Sequence, residues 1–101
     1  MTLYSENITM EKPIIEIEYC TKCRWLARAS WMAQELLSTF SNEIGGITLI
    51  PSSIAGIFEI RCGREIIWER GKKKGMPEIK PLKQKVRDII APDKDLGHID
   101  S

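Results

Sequence analysis

The amino-acid sequence predicts a two-layer α/β sandwich with its elements in the order β-α-β-β-β-α. Three features carry that prediction. An alternating β-branched run occupies 14–19, the period turns helical straight after Cys20-Thr21-Lys22-Cys23, and two strand-like segments between 56 and 70 flank a glycine. The chain's 101 residues suffice for one hydrophobic core and are too few for two. Hydrophobic residues at 43% and charged residues at 29% are globular proportions and exclude a disordered chain.

Residues 1–12 have no clear period and read as a flexible N-terminus ahead of a domain over 13–91. Ile15, Ile17 and Tyr19 then alternate with Glu16 and Glu18, the pattern of a strand with one face buried. Cys23 is expected to open the first helix. Trp25, Leu26, Ala29, Met32, Ala33, Leu36, Leu37 and Phe40 form its apolar stripe, with Arg24, Arg28, Glu35 and Ser38 largely off it. Asn42 to Gly46 stop that helix. Ile47 to Ile50 make a second strand bounded by Pro51. Gly56–Cys62 and Glu65–Arg70, on either side of Gly63-Arg64, read as a β-hairpin.

A polar stretch from Gly71 to Gly75 leads to the last helix. Ile79, Leu82, Val86, Ile89 and Ile90 form its apolar face, and Lys80, Lys83, Lys85 and Arg87 lie outside it. Pro77 suits a helix start, but Pro81 lacks an amide hydrogen and crowds a preceding turn, so the regular part is expected to begin at Pro81. Pro92 ends it, and residues 92–101 read as a polar C-terminal tail. A strand, a helix and a second strand favour a right-handed parallel crossover. Adding the hairpin, with both helices covering the sheet, gives a minimal thioredoxin-like two-layer sandwich.

Charge and cysteine usage narrow the functional classes. Fifteen Lys plus Arg against fourteen Asp plus Glu leave a net charge of +1, so no global field draws the chain to nucleic acid or an anionic membrane. No basic segment followed by an apolar one opens the chain, and no apolar run reaches the roughly 18 to 20 residues of a membrane-spanning helix. Three cysteines cannot all pair with one another, which argues against a secreted, disulfide-stapled scaffold. The expectation is a cytoplasmic protein with reduced thiols, no nucleic-acid partner and no membrane partner.

The informative feature is the placement of Cys20 and Cys23. A strand runs into the first and a helix follows the second, and unpaired N–H groups at a helix start favour a negative sulfur. The thiolate is the reacting species in disulfide exchange, and such placements lower a cysteine pKa from about 8.5 toward roughly 3.5 to 7.5. Lys22, Arg24 and Arg28 add positive charge nearby and read as residues supporting the thiolate. A two-residue gap lets one sulfur attack a partner disulfide and the other resolve the mixed disulfide. Two other readings remain open for a bare C-x-x-C: half of a zinc site, or a pair of structural thiols. A structural zinc site needs four ligands, and the further candidates are Cys62 and His98 alone, so no metal site is expected.

With these residues in view, the chain resembles the selenoprotein W/T/H family, the Rdx proteins, in its bacterial, cysteine-containing selenoprotein W-like form. Tyr19-Cys20-Thr21-Lys22-Cys23-Arg24-Trp25 matches at the strand–helix junction, and Gly56-Ile57-Phe58-Glu59-Ile60 is similar to the family's G-x-F-E-V strand. Ile67-Trp68, followed by Lys72-Lys73-Lys74-Gly75-Met76-Pro77, resembles its hairpin exit, and Asp95-Leu96-Gly97-His98 resembles a bacterial tail. The resemblance covers residues 14–98. It implies a thioredoxin-like fold and a thiol–disulfide or glutathione-linked redox role, with no bound cofactor and with glutathione a candidate reductant. Where related proteins carry selenocysteine it tends to hold the motif's second position, which is Cys23 here, whereas thioredoxins attack with the first, which would be Cys20. Both are therefore assigned as the redox pair. One departure from thioredoxins stands out: no proline directly precedes the strand near Gly56.

The remaining residues read mostly as packing. Cys62 alternates with Phe58 and Ile60, as a small buried residue would. Trp25 and Phe40 fit the core stripe, Tyr19 packs as core beside Cys20, and Trp31, between Arg28 and Glu35, is half-buried or part of a docking patch. Lys72 to Lys74 read as a solvated hairpin exit, and His98 as a tail residue without a catalytic role. Two functions follow: a thiol–disulfide oxidoreductase acting on protein or glutathione disulfides, or a redox-responsive interaction module, docking a partner protein with little turnover.

Overall fold

The computed structural model describes residues 12–70 and 75–97. The expectations for a loose N-terminus before residue 12, for Lys72 to Lys74 and for His98 fall outside them. The elements are β1 (Ile14–Cys20), α1 (Leu26–Thr39), β2 (Gly46–Ser52), β3 (Phe58–Cys62), β4 (Glu65–Glu69) and α2 (Ile79–Ile90). This is the β-α-β-β-β-α order that the sequence predicts.

The strands form one sheet in the order β2-β1-β3-β4. β1 and β2 run parallel across the α1 crossover, while β1–β3 and β3–β4 are antiparallel. The register places Ile15, Ile17, Tyr19, Phe58 and Ile60 on one face, where they form a single core with Ala29, Met32 and Leu36 of α1 and Leu82 and Val86 of α2. Both helices therefore cover the same side. Each fully buried Ile, Leu or Phe contributes about 1.5–3 kcal/mol relative to exposure. The opposite face is polar: Arg61 Nε lies 2.9 Å from Glu16 Oε1, and its Nη1 lies 3.2 Å from Glu18 Oε1 and 3.7 Å from Glu59 Oε2.

Several boundaries differ from the sequence expectation for identifiable reasons. Pro51 lies inside β2 rather than ending it. β2 is an edge strand, where a missing N–H breaks no ladder bond that a neighbour needs. α2 begins at Ile79, so Pro81 sits within its first turn, whose N–H groups have no intrahelical partner in any case. The first full-turn bond runs from the Leu82 N–H to the Glu78 carbonyl at 3.1 Å. Lys83, expected outside, is buried between the helices with Nζ 2.9 Å from Glu35 Oε1. Leu26 and Leu37 of the α1 stripe and Ile89 of α2 are exposed instead. The segment after Pro92 packs back on the body: Leu96 is buried, Lys94 Nζ meets Glu43 Oε2 at 3.2 Å, and Arg87 Nη1 donates to the Lys94 carbonyl at 3.1 Å.

Topology gathers one end of the sheet around Cys20. The parallel partners β1 and β2 end together at Cys20 and Ser52. The antiparallel β3 starts there, with Phe58 beside Tyr19, and the Arg70 N–H after β4 donates to the Phe58 carbonyl at 3.0 Å. Open α/β sheets commonly place their sites at such carboxyl ends.

Candidate functional site

Cys20 closes β1 and Cys23 lies in the turn that follows. The backbone fixes this turn at several points. The Cys20 N–H donates to the Ile57 carbonyl at 2.9 Å, the Thr21 N–H to the Ser52 carbonyl at 3.2 Å, and the Arg24 N–H to the Thr21 carbonyl at 3.3 Å. Thr21 Oγ1 adds a bond to the Ser52 carbonyl at 3.3 Å. Ser52 Oγ in turn accepts from the Ile54 N–H at 3.2 Å, holding the loop that precedes β3.

Cys23 does not open the helix, contrary to the sequence expectation. Arg24 has φ 60°, a left-handed conformation that interrupts any helical path, and α1 starts only at Leu26. The groups that act on sulfur are therefore the N–H donors of the turn and of the facing loop, which do the job assigned to a helix terminus. The backbone N–H groups of Gly56, Cys23 and Lys22 all favour the anionic form of Cys20.

The two thiols are close enough to share a hydrogen bond, and they titrate apart. Cys20 is held below the ordinary cysteine value, first because the Cys23 thiol donates to it; the N–H groups of Gly56, Cys23 and Lys22 add to the effect against the opposing cost of burial. Cys23 is pushed above the ordinary value, first because its proton is engaged by Cys20, then by burial and by the negative charge at Cys20; the Gly56 N–H and the Arg70 guanidinium pull the other way. Cys20 is only 1% exposed, whereas Cys23 is partly exposed. The sulfur that gives up its proton more readily is thus the covered one, and the sulfur that holds its proton longer is partly exposed. All three cysteines are unbridged.

The supporting residues divide. Lys22 acts on Cys20 through its backbone N–H, and its side chain is exposed. Arg24 and Arg28, both exposed, line a groove beside the pair together with Trp31. Trp25, expected in the core, packs on its edge: its ring meets Phe58 edge-on at 5.9 Å between centroids, and Arg70 stacks over it at 4.9 Å. Cys62 pairs with Ile15 at the other end of β3 from Phe58, and burial, then Glu65, raises its pKa. It is remote from the pair along a strand that rises about 3.3 Å per residue. Among the described residues, no group of three or more His, Cys, Asp or Glu side chains converges to hold a metal ion.

Gly56 and Arg70 are the site residues that sequence reading missed. Gly56 has φ +76°, the left-handed region that suits glycine, and this conformation lets the backbone amide face both sulfurs. Arg70 Nη1 also donates to the Gly56 carbonyl at 3.4 Å. Neither belongs to a local motif with the cysteines. Their signal was topological: a hairpin antiparallel to β1 must bring its first and last residues to the end where β1 stops.

A C-x-x-C turn at the end of the central β1, on a four-stranded sheet covered by two helices, defines a thioredoxin-like protein with a close cysteine pair. The Rdx family profile matches residues 14–88, and the chain belongs to the Rdx family. It is similar to a protein of Bordetella parapertussis of known structure, at 49% identity over 79% of this chain and 100% of that one, with a TM-score of 0.75. It is also similar to a selenoprotein W-related protein from Vibrio cholerae, at 51% identity over 78% of this chain and 98% of that one, with a TM-score of 0.74. No functionally curated protein matches it. The fold and family expected from the sequence are both borne out. No helix among the described residues is long and apolar enough to cross a membrane.

Proposed function

We propose that this Rdx protein is a thiol–disulfide oxidoreductase whose Cys20 and Cys23 cycle between dithiol and disulfide. The observation that carries the reading is the Cys23-to-Cys20 thiol hydrogen bond, supported by the backbone N–H groups of Gly56, Cys23 and Lys22. A thiolate is needed for exchange, and this arrangement favours one at Cys20. Exposure favours Cys23 as the sulfur that meets the partner. In the first step Cys23 passes its proton to Cys20 and its sulfur attacks the partner disulfide. One S–S bond forms at Cys23, the partner's S–S bond breaks, and one partner thiolate leaves. In the second step Cys20 gives that proton to the first partner thiolate and attacks Cys23, breaking the mixed disulfide; the second partner sulfur leaves as thiolate and the Cys20–Cys23 disulfide remains. Glutathione or a thioredoxin system, in a cytoplasmic setting, returns the pair to the dithiol.

The test is turnover of a glutathione mixed disulfide coupled to NADPH consumption. Steady turnover by the wild-type protein, lost in Cys23→Ser, is the expected result; no turnover with any glutathione or protein disulfide overturns the reading. The near-complete burial of Cys20 favours a second reading, a redox-responsive interaction module with little turnover. That reading predicts a partner complex that survives substitution of both cysteines, together with an inactive wild type.

A further inference from the structure

A groove of about 980 Å³ lies beside the cysteine turn. It is lined by Arg24 of the turn, by Arg28 and Trp31 of α1, and by Arg70 and the chain entering α2, including Met76 and Glu78. The lining carries three guanidinium groups against one carboxylate, in a chain whose overall net charge is only +1. Trp25 and Met32 line it as well, and Trp31 remains 47% exposed. Arginine and tryptophan are the residues most enriched where binding energy concentrates at protein interfaces. The groove is also tied to the thiols. Arg24 directly follows Cys23, and Arg70, which lies over Trp25, is the cation whose charge acts on Cys23.

We infer that this groove docks an acidic polypeptide segment of a disulfide-bearing protein and so delivers that protein's sulfur to Cys23; the inference rests on the exchange reading above. Charge complementarity selects the acidic segment, since the groove's cations outnumber its anion. The groove is open rather than enclosed and so admits a peptide segment, whose apolar side chains would cover Trp31 while its carboxylates meet Arg24 and Arg28. The electron balance is that of the exchange step already written, with the docked protein as oxidant.

The full chain is tested with two peptides of equal length. Each carries one cysteine as a mixed disulfide with mercaptoethanol, flanked by Glu and Leu in one peptide and by Lys and Leu in the other. The acidic peptide is expected to release its thiol about tenfold faster at low salt, with the gap closing at high salt. Arg28→Glu should reverse that preference, while Arg64→Glu, the same charge change on the remote hairpin turn, should leave the ratio alone. Equal rates for the two peptides overturn the inference. So does an equal slowing of glutathione disulfide by Arg28→Glu, which would assign the groove to a small anionic disulfide. A cysteine-free acidic peptide, titrated against the protein carrying Cys20→Ala and Cys23→Ala, separates docking from chemistry. Saturable binding that Trp31→Ala weakens supports the groove even if no disulfide is turned over, and absence of binding overturns it.

Discussion

The Cys23 thiol donates its hydrogen to the Cys20 sulfur, so a single contact drives the two members of the pair in opposite directions: Cys20 down, Cys23 up. The consequence for labelling follows from the donor. Cys23→Ala removes it and should return Cys20 toward an ordinary thiol, whereas Cys23→Ser keeps a hydroxyl donor and should preserve most of the depression. Cys20→Ala should bring Cys23 down toward the ordinary value. Ultraviolet thiolate absorbance against pH, with each variant reporting one sulfur, reads all three. Equal titration of Cys20 in the Ala and Ser variants of Cys23 would remove the hydrogen bond as the cause.

The same shifts predict how stability varies with pH. Unfolded cysteines titrate near about 8.5. Below that pH the unfolded chain holds a proton that folded Cys20 has already given up, so stability rises with pH. Above it the folded chain keeps the Cys23 proton that the unfolded chain has lost, so stability falls. The cysteine-dependent part of stability should therefore peak near the unfolded thiol pKa. It is isolated by comparing denaturant midpoints of the wild type and the double Cys→Ala variant across pH. A monotonic difference would contradict the opposed shifts.

Gly56 offers a test of the backbone donors. A Cβ there would meet nothing closer than Arg70 Nη1 at 3.8 Å, so space is available, but φ of +76° is strained for any L side chain. Gly56→Ala should cost about 1–2 kcal/mol in stability from the left-handed conformation alone. Any shift of its N–H away from the sulfurs should also raise the Cys20 pKa. Thermal unfolding and the thiolate titration measure the two effects separately.

Arg70 joins three parts of the site, since it stacks on Trp25, donates to the Gly56 carbonyl and lowers Cys23. Arg70→Met keeps an apolar stem over the indole and removes the charge. Losing the cation–π contact should cost about 0.5–1 kcal/mol. Cys23 should titrate still higher, so its alkylation at a fixed pH should slow. Arg70→Lys, which keeps the charge but loses the planar stack, should retain more of the Cys23 effect than of the stability.

These residues also show where sequence reading succeeds and where it stops. Strand alternation at Ile15, Ile17 and Tyr19 and the helical stripe through Ala29, Met32 and Leu36 are local periodicities, and each survives intact into the core. The cysteine pair was legible because its spacing is local too. The position of Cys23 relative to α1 was not, because the left-handed backbone at Arg24 carries no side-chain signature: arginine is not a residue that favours that region. Gly56 and Arg70 reach the sulfurs only through strand pairing, and no window of consecutive residues contains that information. Lys83 was misplaced for a related reason. Helical period puts it on the polar side, but α2 lies against α1 where Glu35 can receive its ammonium.

That buried pair yields the sharpest contrast between neighbouring substitutions. The Lys83 side chain is 9% exposed and Glu35 is 36% exposed, so the carboxylate is partly solvated while the ammonium is not. Removing Glu35 strands a charge in the interior. Glu35→Ala should therefore cost about 2–3 kcal/mol, at or below the lower end for breaking a buried ion pair because water reaches this one from the glutamate side. Removing the lysine strands nothing, since Glu35 turns to solvent. Lys83→Met, similar in volume and apolar, should be neutral within about 1 kcal/mol or stabilising. Urea denaturation checks both, with an unchanged slope showing that the midpoints report stability rather than a change in the unfolded state. Equal destabilisation by the two variants would mean that the pair contributes through mutual attraction, and that desolvation of Lys83 is not what sets its energetics.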